Sequence, residues 1–293
     1  MFQAFGSEPR RGVALLPLRV AARGLGQRGC AGPFAAVAAA APWYARRVKA
    51  RLSKVIVVGA SSGMGEAMAR QLAASGADVA IVARRQTELD RLAAERPGKL
   101  RPYAHDVVNV DEVPVLFERI EREMGSVDGL VYAAGVMPKV EESEYAFEKD
   151  KAMFTVNLLG AMAWMNQAAA RFEAARGGTI LGISSIAGER GRRGNPGYCT
   201  SKAGLTAYLE SLRNRCSRYG VNVVTIKPGF VDTAMTRGLK GLFWLISAEK
   251  AAKRSIALAR KGKSLTAFVP SRWALVAFIV RCLPSFIFRR LNF

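Results

Sequence analysis

The sequence predicts an α/β fold, a doubly wound parallel sheet in a single domain with helices on both faces. Three observations carry that reading. Val55-Ile56-Val57-Val58 is an unbroken β-branched run, as expected of a strand buried on both sides. A glycine-rich turn follows it directly. Strand-like and helical segments then alternate as far as about residue 236.

The elements follow in order. After the turn, Met64, Ala67, Met68 and Leu72 share one face of a helix that Gly76 ends. Asp78 to Val82 reads as a second strand. Leu89 to Ala94 reads as helix, broken at Pro97-Gly98, and a third strand precedes His105. Further strands are expected at Leu130–Ala134, Thr179–Ile183 and Val221–Ile226, separated by long helices over roughly Asp150–Arg176 and Tyr198–Arg218. No internal repeat is visible. The chain divides into a basic Ala/Arg/Gly-rich segment (1–50), a nucleotide-binding catalytic domain (51–236), and a substrate lid with an amphipathic C-terminal helix (237–293).

Charge is distributed unevenly. Residues 1–54 carry ten Lys/Arg against Glu8, and residues 237–293 carry twelve against Glu249, so the two ends are +9 and +11. The body between them is +1. A near-neutral body with basic ends does not fit a nucleic-acid-binding domain, whose charge lines a folded face. Basic ends beside apolar residues suit an anionic membrane surface, or simply a solvated protein. Cys30, Cys199, Cys216 and Cys282 form no metal spacing, and one histidine makes a metal site or a Ser-His-Asp hydrolase a poor fit. The thiols are expected reduced, and Cys199 packs rather than reacts. No stretch has the ~18 to 20 apolar residues of a membrane-spanning helix. Residues 1–50 are open to three readings: an organellar transit peptide, a disordered tail, or an upstream extension before a true start near Val48. The location is cytoplasmic, peripheral on a membrane, or organellar if that segment is a genuine leader.

The turn Gly59-Ala60-Ser61-Ser62-Gly63-Met64-Gly65 lies between strand and helix, the context a pyrophosphate needs. Glycines admit the phosphate to the backbone, and the helix start offers free N–H groups and partial positive charge. Gly59, Ser61, Ser62, Gly63, Met64 and Gly65 are therefore candidate dinucleotide contacts. Arg84 and Arg85 end the second strand where an acid would bind the ribose hydroxyls of NAD. An acid there repels a 2′-phosphate and an arginine holds one, so the cofactor expected is NADP(H). Asp106, with Val107, follows the third strand and is placed to accept from the adenine amino group. His105 is read as a structural neighbour.

Tyr198 and Lys202 stand four apart on one face of a helix, and Ser185 follows the strand Thr179–Ile183. Carbonyl reduction needs an acid at the substrate oxygen as hydride reaches carbon. A free phenol, with a pKa near 10, shuttles protons poorly at neutral pH. An adjacent ammonium and an oxidised nicotinamide lower it, and ~2 to 3 pH units correspond to about 3 to 4 kcal/mol. Lys202 supplies that charge and reaches the nicotinamide ribose, while Ser185 orients the substrate oxygen.

From Lys54 to about Arg237 the chain resembles the short-chain dehydrogenase/reductases. Gly59, Gly63 and Gly65 match that family's nucleotide turn. Ser185, Tyr198 and Lys202 match three members of its catalytic tetrad, and Asn157 matches the fourth, which in the family holds a water in the proton relay to the lysine. Pro228-Gly229-Phe230-Val231-Asp232-Thr233 matches the segment that contacts the nicotinamide amide, with Pro228, Gly229, Val231 and Thr233 as its contacts. The resemblance implies a Rossmann-type sheet of about seven strands and a homodimer or homotetramer built through the helices that include Asn157 and Tyr198. One departure is clear. Tyr132-Ala133-Ala134-Gly135 stands where the family commonly has Asn-Asn-Ala-Gly, so local hydrogen bonding there is in question, while Ala134 and Gly135 still border the cofactor.

Beyond Thr233, the apolar residues between Met235 and Ile246 suggest a lid over the substrate, or ordinary core packing. The tail from Trp273 to Phe293 mixes apolar residues with Arg281, Arg289 and Arg290 around Pro284, a pattern that fits a helix lying in a membrane interface, docking on the fold, or joining a dimer. The segment Ala187–Arg193 and the ending Leu283–Leu291 are similar to the reductase subunits of decaprenylphosphoryl-ribose 2-epimerases. That likeness implies a keto sugar carried on a polyprenyl phosphate, with Arg190, Arg192 and Arg193 near the phosphate or on a solvated loop. The function expected is hydride transfer between NADP(H) and a lipophilic carbonyl or secondary alcohol. The alternative is a non-catalytic NADP-binding or membrane-scaffold protein on the same fold.

Overall fold

The structure, a computed structural model, describes residues 50–239 and 241–291. The expectations for residues 1–49 lie outside the described residues. β1 (Lys54–Val58), β2 (Asp78–Ala83), β3 (Leu100–Ala104), β4 (Gly129–Tyr132), β5 (Thr179–Ile183), β6 (Asn222–Pro228) and β9 (Leu265–Val269) form one sheet in the order β3-β2-β1-β4-β5-β6-β9. Every pairing in it is parallel. β7 (Val231–Asp232) and β8 (Ile246–Ser247) make a separate short pair.

The unbroken apolar runs have a direct cause. Val55 and Val57 face a layer built from α1 (Gly63–Ala74), α2 (Gln86–Ala94) and α7 (Ala248–Ala259). Ile56 and Val58 face the opposite layer, made by α3 (Val113–Met124), α5 (Gly160–Ala174) and α6 (Pro196–Cys216). With both faces covered, no strand position is left for a polar alternation. β3 tolerates Pro102 because it is an edge strand. The order reverses between β1 and β4, and the crevice at the carboxyl ends of those strands is where such sheets bind ligands.

Two features differ from the expectation. The segment Asp150–Arg176 is not one helix. α4 (Phe147–Phe154) passes into a π turn at Thr155–Leu159 before α5 begins. Residues 237–293 are also more than a lid and a tail, because α7 and β9 complete one helical layer and the sheet edge. A division at 236/237 would cut the core. The C-terminal helix is two pieces, α8 (Trp273–Cys282) and α9 (Ser285–Phe288), separated at Pro284. None of the described helices is long and apolar enough to cross a membrane.

Candidate active site

The glycine turn closes on itself tightly. Gly59 has φ +86°, and a Cβ there would lie 2.4 Å from the Ala134 nitrogen. A Cβ on Gly65 would lie 2.1 Å from the Gly59 carbonyl oxygen. No side chain larger than hydrogen fits either place, so the first turn of α1 stands bare at the sheet's carboxyl edge. Ser62, the residue before α1, is extended and caps no N–H with its side chain. Met64 lies in that first turn, and Thr233 packs its methyl beside Gly63. These residues fit a pyrophosphate: donors without protein partners, backed by the helix dipole.

The two arginines after β2 behave differently. Arg85 folds onto the turn and donates to the Ser61 carbonyl at 2.9 Å and to its hydroxyl at 3.0 Å. Arg84 is exposed and stands 3.7 Å from the Asp106 carboxylate, which also accepts from the Val108 N–H. Asp106 thus already has an ionic partner in addition to the adenine role read from sequence. Val107 is buried. His105 is buried against Trp164 and bonds through Nε2 to the Asn109 carbonyl, in keeping with a structural place.

Ser185, Tyr198, Lys202 and Asn157 come together, all buried. Ser185 precedes a single 3₁₀ turn (Ile186–Glu189), and its hydroxyl accepts from the Ala187 N–H and acts on the Tyr198 phenol to lower its pKa. Asn195 caps α6 by accepting from the Tyr198 N–H, which fixes where that tyrosine enters the helix. Lys202 donates from Nζ to the Ile183 carbonyl at 3.0 Å, and Nζ lies 5.9 Å from the centre of the Tyr198 ring. Asn157 sits in the π turn, accepts from the Val136 N–H at 2.8 Å, and donates to the Val136 carbonyl and the Ser201 hydroxyl. A Cβ on Gly135 would lie 3.3 Å from Asn157 Oδ1 and 3.4 Å from Lys202 Nζ, so those two atoms border one spot.

Burial dominates the electrostatics of the protein's own groups. Burial pushes the Tyr198 phenol up, outweighing the Ser185 hydrogen bond and the charge of Arg192, both of which pull it down. Burial also brings the Lys202 ammonium down to about 8. The protein's own groups therefore hold the phenol protonated and make the ammonium readier to release its proton. The lowering expected from sequence draws on an oxidised nicotinamide as well as Lys202; among the protein's own groups, Nζ is turned to the Ile183 carbonyl and desolvated.

On the other side of the crevice, Pro228 ends β6, and Gly229 donates to the Val269 carbonyl with the Trp273 indole directly on it. Val231 is buried. The expected lid is partly a packed aromatic cluster: Phe243 stacks on Trp273 at 5.0 Å, with Phe230 and Trp244 edge-on to that indole. Leu239, Phe243, Trp244 and Leu245 remain exposed in part.

Sequence reasoning missed several residues here. The Glu189 side chain is fully buried and bridges Lys227 on β6 and Arg281 on α8. Arg190, expected either near a phosphate or on a solvated loop, instead donates to the Val280 and Leu283 carbonyls at the end of α8 and covers the Phe288 ring. Arg193 pairs with Glu142 at 2.6 Å. Arg192 has its buried Nε without a protein partner. It lines a cavity of about 230 Å³ with Gly191, Arg193, Phe288, Arg289 and Leu291. Only long-range contacts reveal these roles.

A seven-stranded parallel sheet with a glycine cradle at its switch point defines a dinucleotide-binding α/β protein, and the Ser-Tyr-Lys cluster narrows the class. Residues 53–241 match the short chain dehydrogenase family, and the chain belongs to it. It is 31% identical over 209 residues to the human 3-oxoacyl-[acyl-carrier-protein] reductase, covering 71% of this chain and 85% of that one. An uncharacterized oxidoreductase of Mycobacterium tuberculosis is 29% identical over 243 residues, covering 81% of this chain and 96% of that protein. A solved short chain dehydrogenase/reductase family structure superimposes with a TM-score of 0.67 at 25% identity, over 75% of this chain and 97% of that one. The chain is an oxidoreductase of this family by that membership.

Proposed function

We propose that the protein is an NADP(H)-dependent reductase of a lipophilic keto substrate carried on a polyprenyl phosphate. The observation that carries the chemistry is the buried grouping of Ser185 with Tyr198, and Lys202 one helical turn further along α6. The turn Gly59–Gly65 would hold the pyrophosphate, Arg84 and Arg85 the 2′-phosphate, and Asp106 with Val107 the adenine. Ala134, Gly135, Pro228, Gly229, Val231 and Thr233 would border the nicotinamide. When bound, the nicotinamide supplies the hydride that reaches the carbonyl carbon. Tyr198 gives its proton to the carbonyl oxygen from Oη, and Ser185 donates to the same oxygen and orients it. Lys202 and Asn157, facing one spot beside Gly135, return a proton toward the phenol through that space. A phenol raised by burial suits the reductive direction, since it enters the step protonated.

The substrate assignment rests on the cavity beside Arg192. Arg192, Arg193 and Arg289 supply cationic donors for a phosphate, and Phe288 and Leu291 supply an apolar wall. The charge of Arg192 also reaches Tyr198, which links this cavity to the reacting centre. Leu275, Phe278, Ile279, Phe286 and Ile287 are exposed on α8 and α9 in a basic segment, a surface suited to an anionic bilayer that presents such a substrate from the cytoplasmic side. The oligomer is a dimer or tetramer formed across the helices that carry Asn157 and Tyr198. NADPH oxidation should be measured with a polyprenyl-phosphate-linked keto pentose and with a neutral long-chain ketone of equal length. Arg192→Ala should raise KM for the first by about tenfold or more and leave the second unchanged. Equal effects on both would refute the phosphate assignment. Nucleotide binding without any turnover would refute the enzyme reading and leave a binding scaffold.

A further inference from the structure

We infer that Tyr132 is a positioning residue for Asn157, acting through the π turn that carries it. This rests on the catalytic reading above. In a regular α-helix the Gly160 N–H would bond the Val156 carbonyl four residues back. Here it reaches five residues back, to the Thr155 carbonyl. The carbonyl that Gly160 passes over accepts instead from the Tyr132 hydroxyl, at 2.7 Å. Tyr132 ends β4 and is fully buried, and burial keeps its phenol neutral and able to donate.

Gly160 is part of the same arrangement. A Cβ there would lie 2.8 Å from the Tyr132 hydroxyl and 2.8 Å from the Val107 carbonyl. The strand end, the glycine and the slipped helical bond therefore interlock. Their effect is to turn Asn157, the residue after Val156, so that its amide faces both groups of the Val136 backbone and the Ser201 hydroxyl. π turns are uncommon inside helices and cluster at functional sites, so the slip needs a cause, and a buried hydroxyl with nothing else to donate to is one. The position is also where this chain departs from the Asn-Asn-Ala-Gly pattern.

Tyr132→Phe keeps the ring and removes the donor. The expected result is a kcat lower by about ten- to hundredfold, as follows from displacing a relay group by about an ångström. The nucleotide dissociation constant, read by NADPH fluorescence, should stay within about twofold, and the pH profile of kcat should shift because Lys202 faces the same spot. In an Asn157→Ala background, Tyr132→Phe should change kcat little further. An equal additional loss there would overturn the inference, as would wild-type kcat and pH profile in the single variant. If Tyr132→Phe fails to fold, Gly160→Ala, which presses on the hydroxyl, should reproduce the kcat loss and the same silence beside Asn157→Ala; an additive loss would overturn the inference. If wild-type protein turns over no carbonyl, the catalytic reading has failed; a wild type that turns over beside an unaffected Tyr132→Phe sinks this inference alone.

Discussion

Replacing Lys202 with Met should stabilise the nucleotide-free protein near neutral pH and do so less as pH rises. The amine is buried, and burial lowers it from its ordinary 10.5 to about 8. The folded chain therefore holds fewer protons than the unfolded chain between those two values. Stability rises with pH across that window; the penalty is present in full below about 8 and gone above the unfolded value. At 1.36 kcal/mol per pH unit the full penalty is about 3 kcal/mol. Methionine keeps the stem and drops the charge, but it leaves the Ile183 carbonyl without its 3.0 Å donor, a loss of about 1 kcal/mol that does not vary with pH. Lys202→Met should therefore be more stable than wild type by about 2 kcal/mol near pH 7 and lose most of that advantage by about pH 10. Urea unfolding of both proteins at matched concentration, repeated across that range, measures the gap directly. A gap that does not change with pH would show that the amine is not desolvated as described. The result would also mark Lys202 as a residue kept against stability for its chemistry.

Three other outcomes are expected. Tyr198→Phe should abolish carbonyl reduction while NADPH affinity stays within about twofold; surviving turnover would remove Tyr198 as the acid. Arg84→Asp should raise the KM for NADPH about tenfold or more and turn preference toward NADH, because a carboxylate replaces a cation next to Asp106. An unchanged ratio of the two cofactors would refute the 2′-phosphate site. Phe278→Asp, on an exposed face of α8, should abolish sedimentation with phosphatidylglycerol vesicles without changing activity on a soluble ketone. Wild-type sedimentation by that variant would place the membrane contact elsewhere or nowhere.

The legible parts of the sequence were those with a short-range physical cause. β5 is legible to the residue as a short apolar run, and β1 to within one because a continuous β-branched run has few alternatives to a doubly buried strand. α3 was not read. Pro114 suggests a break, yet at the start of a helix its missing N–H costs nothing, and Val113, Phe117, Ile120 and Met124 recur at helical spacing before the left-handed Gly125. α7 and β9 fall within the segment expected to be lid and C-terminal helix, although Ser247 caps α7 by accepting from the Lys250 N–H. The π turn had no local signal at all, since a one-residue slip in bonding leaves composition and periodicity nearly unchanged.

By itself the sequence determined the fold class, the nucleotide turn and the membership of the Ser-Tyr-Lys-Asn cluster. The turn and the Tyr198–Lys202 pair depend on residue types at fixed spacing within one turn or one helix. Ser185 and Asn157 lie on other elements, and Asn157 is legible only through the family resemblance. The tertiary structure decided how those residues behave. Whether a phenol rises or falls depends on what surrounds it, and burial outweighs the Ser185 hydroxyl and the charge of Arg192. Arg190 went to the end of α8 and Arg192 to a cavity wall because helices some ninety residues later fold back beside them. Such outcomes arise from contacts between distant segments, and no window along the chain contains both partners.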